Sequence, residues 1–337
     1  MLQIENKTPF AAKMCVLPNE NGRDTLVLTV KGSFSWGPVP EILEPAPIVD
    51  VDVYWADPQW SSLKAAGELH LSKPTTDILL KGHGQAPDRK AGVMVDTGLQ
   101  VGELTKKVRV FGDRCWEKGL LGWQISEPVP FETMPLVYER AYGGRFETDR
   151  GLLAEERNPA GRGLMGPEGA RGVLLPNLEN PEEPIQRRRD QPAPFCYGPV
   201  APAWLPRRLL AGSYDDNWIQ KRAPFLPHDF DPTFFNTASS GLCYGSYLQG
   251  GEPVGLKGFT PEGLVQFNVV RCSLQARVDI AGRSQPMALN IETLELDPDE
   301  NRYHLVWRGV CDCDKMALKV SWAHLNLQKV SFDGGVS

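Results

Sequence analysis

Hydrophobic and polar positions alternate along several stretches of this chain, most clearly from Asp24 to Trp36. Leu26, Leu28, Val30 and Phe34 fall on one side, and Thr25, Thr29, Lys31, Ser33 and Ser35 on the other. A period of two over this length predicts a β-strand with one buried face. Shorter runs at Thr76 to Lys81, Gly92 to Val95 and Lys106 to Phe111 predict further strands. The style returns near the C-terminus, where Val265, Phe267 and Val269, then Tyr303, Leu305 and Trp307, then Leu318, Val320 and Trp322 alternate with polar residues. Pro298-Asp299-Glu300-Asn301 is a turn signal between two such runs. No stretch holds a helical period beyond about two turns, and Ser239 to Leu248 is the best helix candidate. The pattern predicts a mainly β fold of antiparallel sheets, sandwich or barrel-like, with few short helices.

The middle of the chain differs. Residues 128–232 hold 16 of the 29 prolines, and proline cannot donate to a ladder, so it is confined to sheet edges and loops. The same stretch is rich in Trp, Tyr, Phe and Arg, which disordered segments lack. It reads as an ordered, Pro/Gly-rich loop layer packed on a β framework. The boundaries are then 1–127, 128–235 and 236–337, as three regions or one continuous compact unit.

Composition narrows the function classes. No run of the 337 residues approaches the ~18 apolar positions of a membrane helix. A formal charge of -6 argues against a broad phosphate-binding surface, so no nucleic-acid partner is expected. The one basic run, Arg187-Arg188-Arg189, is flanked by Glu182, Glu183 and Asp190 and reads as a solvated loop. Met1 to Lys7 lacks the basic stretch and apolar core of a secretory signal. With seven scattered cysteines, an odd number, this points to reduced thiols and a cytoplasmic location.

Candidate chemistry is sparse. Gly161 to Gly166 fits G-x-G-x-x-G, but Asn158-Pro159 precedes it and Pro167 follows, which denies it the strand and helix that a dinucleotide site needs. Cys311-Asp312-Cys313 is a lone cysteine pair with no second pair to complete a zinc site, although His324 is a conceivable neighbour. His228, Asp229 and Asp231 form the one tight His/Asp cluster, readable as a metal or acid/base site or as a turn bracketed by Pro227 and Pro232. A hydrolase-like enzyme built on that cluster is one alternative, and a carbohydrate-binding module using the nine tryptophans is another. No catalytic residue, cofactor or metal is assigned.

Three segments combine aromatics with Arg and Asp: Val110 to Trp116, Met134 to Arg145 and Tyr214 to Arg222. Tyr, Trp and Arg dominate binding hot spots, and they also lock long loops internally. Tyr138, Arg140, Tyr142, Trp218 and Arg222 are the candidate partner-binding residues.

These segments resemble a bacterial family of type VI secretion accessory proteins, a domain of unknown function. The resemblance spans most of the chain. It includes Ala56-Asp57-Pro58-Gln59, Thr76 to Gly82, Val110 to Trp116, Met134 to Gly144 and Asn158 to Gly163. It continues through Pro176 to Glu179, Gly198-Pro199-Val200, Trp204 with Arg207, Ala211 to Asp215, Trp218 to Asp231 and Leu305 to Arg308. After Phe234-Phe235-Asn236 relatives commonly continue with a small residue, a proline and an Asp-Gln pair. This chain has Thr237 to Leu242 instead, so the role of that pair is not carried over to 237–245. The resemblance implies a non-catalytic effector adaptor or chaperone whose partners are a secreted effector toxin and a VgrG or PAAR spike component. Such a protein would hold its partner by burying an aromatic-rich patch or by taking a strand onto a sheet edge.

Overall fold

The computed structural model describes residues 3–332 apart from 121, 150, 167 and 168. It is mainly β, built from open, mostly antiparallel sheets. The strand expected from Asp24 runs Asp24–Ser35. It lies second in a sheet ordered Ala11–Pro18, Asp24–Ser35, Arg302–Asp312, Asn290–Asp297, Asp77–Leu80, with Ile42–Leu43 also pairing to Asp24–Ser35. Only the contact between Asn290–Asp297 and Asp77–Leu80 is parallel. A five-stranded antiparallel sheet follows the order Leu178–Glu179, Leu104–Phe111, Met94–Val101, Pro253–Lys257, Leu264–Asn268. A four-stranded sheet has the order Gln3–Lys7, Val320–Ser331, Arg271–Ile280, Arg283–Met287. Residues of 1–127, 128–235 and 236–337 therefore share sheets. Among the described residues, no helix is long and apolar enough to cross a membrane.

The apolar face of Asp24–Ser35 forms one continuous core with the other two sheets. Leu28 and Phe34 join Val278 and Leu325 of the four-stranded sheet, and Leu99, Val108 and Leu256 of the five-stranded one. Phe10 stacks on Trp307 at 5.5 Å within it. The other face was expected to meet water, yet Thr29, Lys31 and Ser33 are buried too. The chain between Ala46 and His70 seals that face and supplies its polar partners. Ser33 accepts from the Ala46 amide, Lys31 donates to Glu68 at 2.7 Å, and Glu68 takes the Val49 amide. Buried polar groups persist only when hydrogen-bonded, and here the covering loop bonds them.

Two sequence expectations fail for identifiable reasons. Ser239 to Leu248 is not helical. Its backbone extends the open edge of Asp77–Leu80, with the Ile78 amide donating to Leu242 and the Tyr244 amide to Thr76. The described α-helix is instead Asp216–Lys221, capped by Asp215, whose carboxylate accepts the Trp218 amide at 2.8 Å. The alternation at Leu318, Val320 and Trp322 also breaks. Val320 is buried, whereas Leu318 is in a 3-10 turn and Trp322 is exposed. A bulge opposite Asp279 and Ile280 leaves Ser321 unpaired and flips the phase, so Ala323 and Leu325 point inward.

The described residues of the Pro-rich middle are largely irregular, as its composition predicts. Its Cys196 and Tyr197 are wholly buried, and the Tyr197 hydroxyl meets Thr97 of the five-stranded sheet at 3.0 Å.

Candidate partner-binding cleft

A largely apolar hollow beside the Asp77–Leu80 edge measures about 890 Å³, within the range of binding pockets. One wall is the hairpin of Val53–Tyr54 and Leu63–Ala65, whose loop carries Trp55, Trp60 and Ser62. Facing it are Leu80 to His83, and Pro135 to Glu139 at the 3-10 turn Tyr138–Arg140. Gly198, Pro199 and the turn from Asp297 to Arg302 complete the lining.

Specific bonds hold these walls together. The Ser62 amide and hydroxyl each donate to the Glu139 carboxylate at 2.7 Å, tying hairpin loop to turn. The Leu136 amide donates to Gly82 at 3.0 Å. Asp57 shapes the hairpin loop by accepting the Gln59 amide on its side chain and the Ser61 hydroxyl on its carbonyl. Arg145 lies 4.2 Å over the Trp60 ring and Lys64 lies 5.1 Å over Trp55. Trp55 remains 48% exposed, which leaves its ring available to a partner.

The rim is charged. Lys81 bridges Glu295 at 2.9 Å and Asp297 at 3.5 Å, and Arg302 reaches Asp297 at 3.4 Å. Burial works against the Lys81 ammonium, but Glu295 and Asp297 raise its pKa above the ordinary lysine value. Burial dominates at Asp297 and pushes its carboxyl up despite those cations. His83 bonds Asp299 at 2.7 Å through Nδ1, and that bond raises the imidazole pKa. Glu300 has no ion-pair partner among the described residues. The Ser62 hydroxyl meets the Glu139 carboxylate, the bond that ties the two walls together.

The five candidate residues do not make one surface. Tyr138 and Tyr142 are core residues, 4% and 2% exposed, and offer almost nothing to a partner. Tyr138 packs edge-on to Trp204 at 5.5 Å, backing the cleft floor, and burial lifts its pKa well above the ordinary range. Arg140 donates to Asp113 at 3.0 Å and Asn177 at 3.2 Å, locking loops together. Trp218 donates its indole N–H to the Phe225 carbonyl, and Arg222 donates to that of Leu226. These two line a separate hollow with His228 and Asp229. Trp55, Trp60, Val137 and His83 line the cleft and are not among the five candidates, although the segments Thr76 to Gly82 and Met134 to Gly144 run along its walls.

The other motifs serve the fold. Asp229 accepts from the Ser213 amide and hydroxyl, while Asp231 caps the 3-10 turn Pro232–Phe235 through Thr233, so the carboxylates hold different turns. Cys313 is buried at the end of Arg302–Asp312, and His324 sits between Glu5 and Asp279 on the four-stranded sheet. Among the described residues no group of three such side chains is placed to hold a metal ion. Trp116, Trp204 and Trp307 are buried, while the exposed Trp55 lies in a hairpin loop and the exposed Trp322 on the strand Val320–Ser331. Arg187 to Arg189 lie in an exposed turn.

The glycine motif is a packing device. Arg162–Gly163 pairs with Tyr142–Gly143, and the wholly buried Asn158 donates to the Tyr138 and Tyr142 carbonyls. A Cβ on Gly161 would fall 2.4 Å from Asn158 Nδ2. Pro167, which follows the motif, lies outside the described residues. The divergent stretch from Thr237 is structural as well: Thr237 bonds Asp77, and Ser239 accepts from Lys106 at 2.8 Å.

A family model for DUF2169, described as an uncharacterized protein conserved in bacteria, matches residues 21–308. The chain belongs to the DUF2169 family. No curated protein and no solved structure matches it. The DUF2169 match contains every residue lining the cleft, from Trp55 to Arg302.

Proposed function

We propose that this DUF2169 protein is a non-catalytic adaptor that holds a type VI secretion effector and helps place it on the VgrG/PAAR spike. The observation that carries the reading is the cleft: Leu80 to Gly82, Pro135 to Glu139 and Gly198-Pro199 of its lining fall in segments that resemble the secretion accessory family, and much of the lining is aromatic or aliphatic. Apolar pockets ringed by polar groups suit buried anchor residues, which supply most of the energy of protein interfaces. The occupant is an apolar segment of the effector flanked by a basic residue that meets Glu300. Holding a partner this way asks for no bond-making chemistry. Co-expression with type VI effectors and spike proteins of the same genome tests the reading. A complex that survives affinity purification and size exclusion is expected, and failure to recover any complex with an effector or a spike protein would overturn it.

A further inference from the structure

Side chains on neighbouring strands meet where they share a register position and a face. In the four-stranded sheet, Glu5 of Gln3–Lys7, His324 of Val320–Ser331 and Arg277 of Arg271–Ile280 stand opposite one another in one row. Asp279 stands opposite Trp322 in the next. His324 thereby lies between two carboxylates, its Nδ1 2.7 Å from Glu5 and its Nε2 3.0 Å from Asp279. A carboxylate only accepts, so each ring nitrogen has to donate, and the imidazolium alone carries two N–H groups. The arrangement belongs to the charged ring. Trp322 lies nearly parallel to it, with centroids 6.3 Å apart. The other charged groups on this face are Lys7, which bridges Glu5 at 2.9 Å, and Arg277, which donates to Ser284 at 3.2 Å.

These bonds strap three strands together. Gln3–Lys7 is an edge strand that pairs only with Val320–Ser331, in parallel, and Ile4 is its residue packed on the core. The bridge through His324 adds a side-chain tie from that edge to Arg271–Ile280. A neutral ring has one N–H and can keep one carboxylate, while its other nitrogen turns a lone pair toward the second. Glu5 is the one released, because it is the more exposed of the two and already has Lys7 as a cation. The bonds to Asp279 and then to Glu5 raise the imidazole pKa above the ordinary histidine value of 6.5. A folded-state value above the unfolded one makes the strap complete below that range. It is lost as pH rises through the raised value.

We propose that His324 is a pH-sensitive latch on the first strand: it is closed as the imidazolium, and loss of one proton to water frees Glu5 and loosens Gln3–Lys7 from the sheet. The latch is independent of the adaptor reading. Hydrogen exchange on the full chain from about pH 6 to about pH 9 tests it, with each rate divided by the intrinsic rate at that pH. Protection of the amides of 3–7 that bond Val320–Ser331 should fall about threefold or more across the range, while amides of Asp24–Ser35 show no fall. His324→Gln has no titrating group there and should give equal protection at both ends. Equal protection in the parent protein, or a fall that persists in the variant, would overturn the latch. Should the variant not fold, proton NMR of the His324 ring in the parent protein decides. A pKa above 6.5 that matches the midpoint of the loosening is expected, and one at or below 6.5 would overturn it.

Discussion

Arg308 donates to Glu292 at 2.6 Å, and both side chains are sealed from solvent, 1% and 0% exposed. The remaining guanidinium N–H groups reach the Thr29 hydroxyl and the Glu68 and His70 carbonyls, so the cation is fully satisfied beneath the covering loop. Removing one partner of such a pair leaves a buried charge uncompensated, which costs about 3–5 kcal/mol. Glu292→Ala should lower the urea midpoint accordingly, with little change in slope. A midpoint equal to that of the parent protein would contradict this account of the polar layer.

Lys106 is buried against the Phe195 ring, with Ser239 and the Ser240 carbonyl as its hydrogen-bond partners and no carboxylate among them. Burial depresses its pKa from 10.5 to about 8. Between those values the unfolded chain binds more protons than the folded one, so stability rises with pH across that window. The full gain is about 3 kcal/mol. In Lys106→Met the contribution disappears. The stability of the parent protein relative to the variant, measured by denaturant unfolding from pH 7.5 to 10.5, should climb through the window. A flat difference would show that the ammonium finds a counter-charge in solution.

Gly161 tolerates no side chain. A Cβ would stand 2.4 Å from Asn158 Nδ2 and 2.6 Å from the Ala141 carbonyl, both in buried, bonded surroundings. Gly161→Ala should therefore cost more than 2 kcal/mol and reduce soluble yield, whereas Gly245→Ala, which meets nothing within 4 Å, should be close to neutral. Thermal unfolding of the two variants side by side separates the packing role from any ligand-binding role of the motif.

Strand positions were legible wherever one period persisted, as at Asp24–Ser35 and Arg302–Asp312. Burial of the polar side of Asp24–Ser35 was not, because the loop that seals it comes from residues 46–70, a pairing no local pattern encodes. The phase break at Ser321 follows from a single unpaired residue, which alternation alone cannot anticipate. At the cleft, the segments that line it stood out in the sequence, but the choice among their side chains went to Tyr138 and Tyr142. Aromatic residues next to arginine read alike whether they face a partner or a core. Trp55 and Trp60 are separated in sequence from the walls they face, so only the fold brings them together.

The adaptor account depends above all on Trp55, the most exposed aromatic of the cleft. Calorimetric titration of the purified effector into the parent protein and into Trp55→Ala tests it most directly. The account predicts binding at least tenfold weaker for the variant, about 1.4 kcal/mol or more, with an unchanged melting temperature. Equal affinity for the two proteins would contradict it.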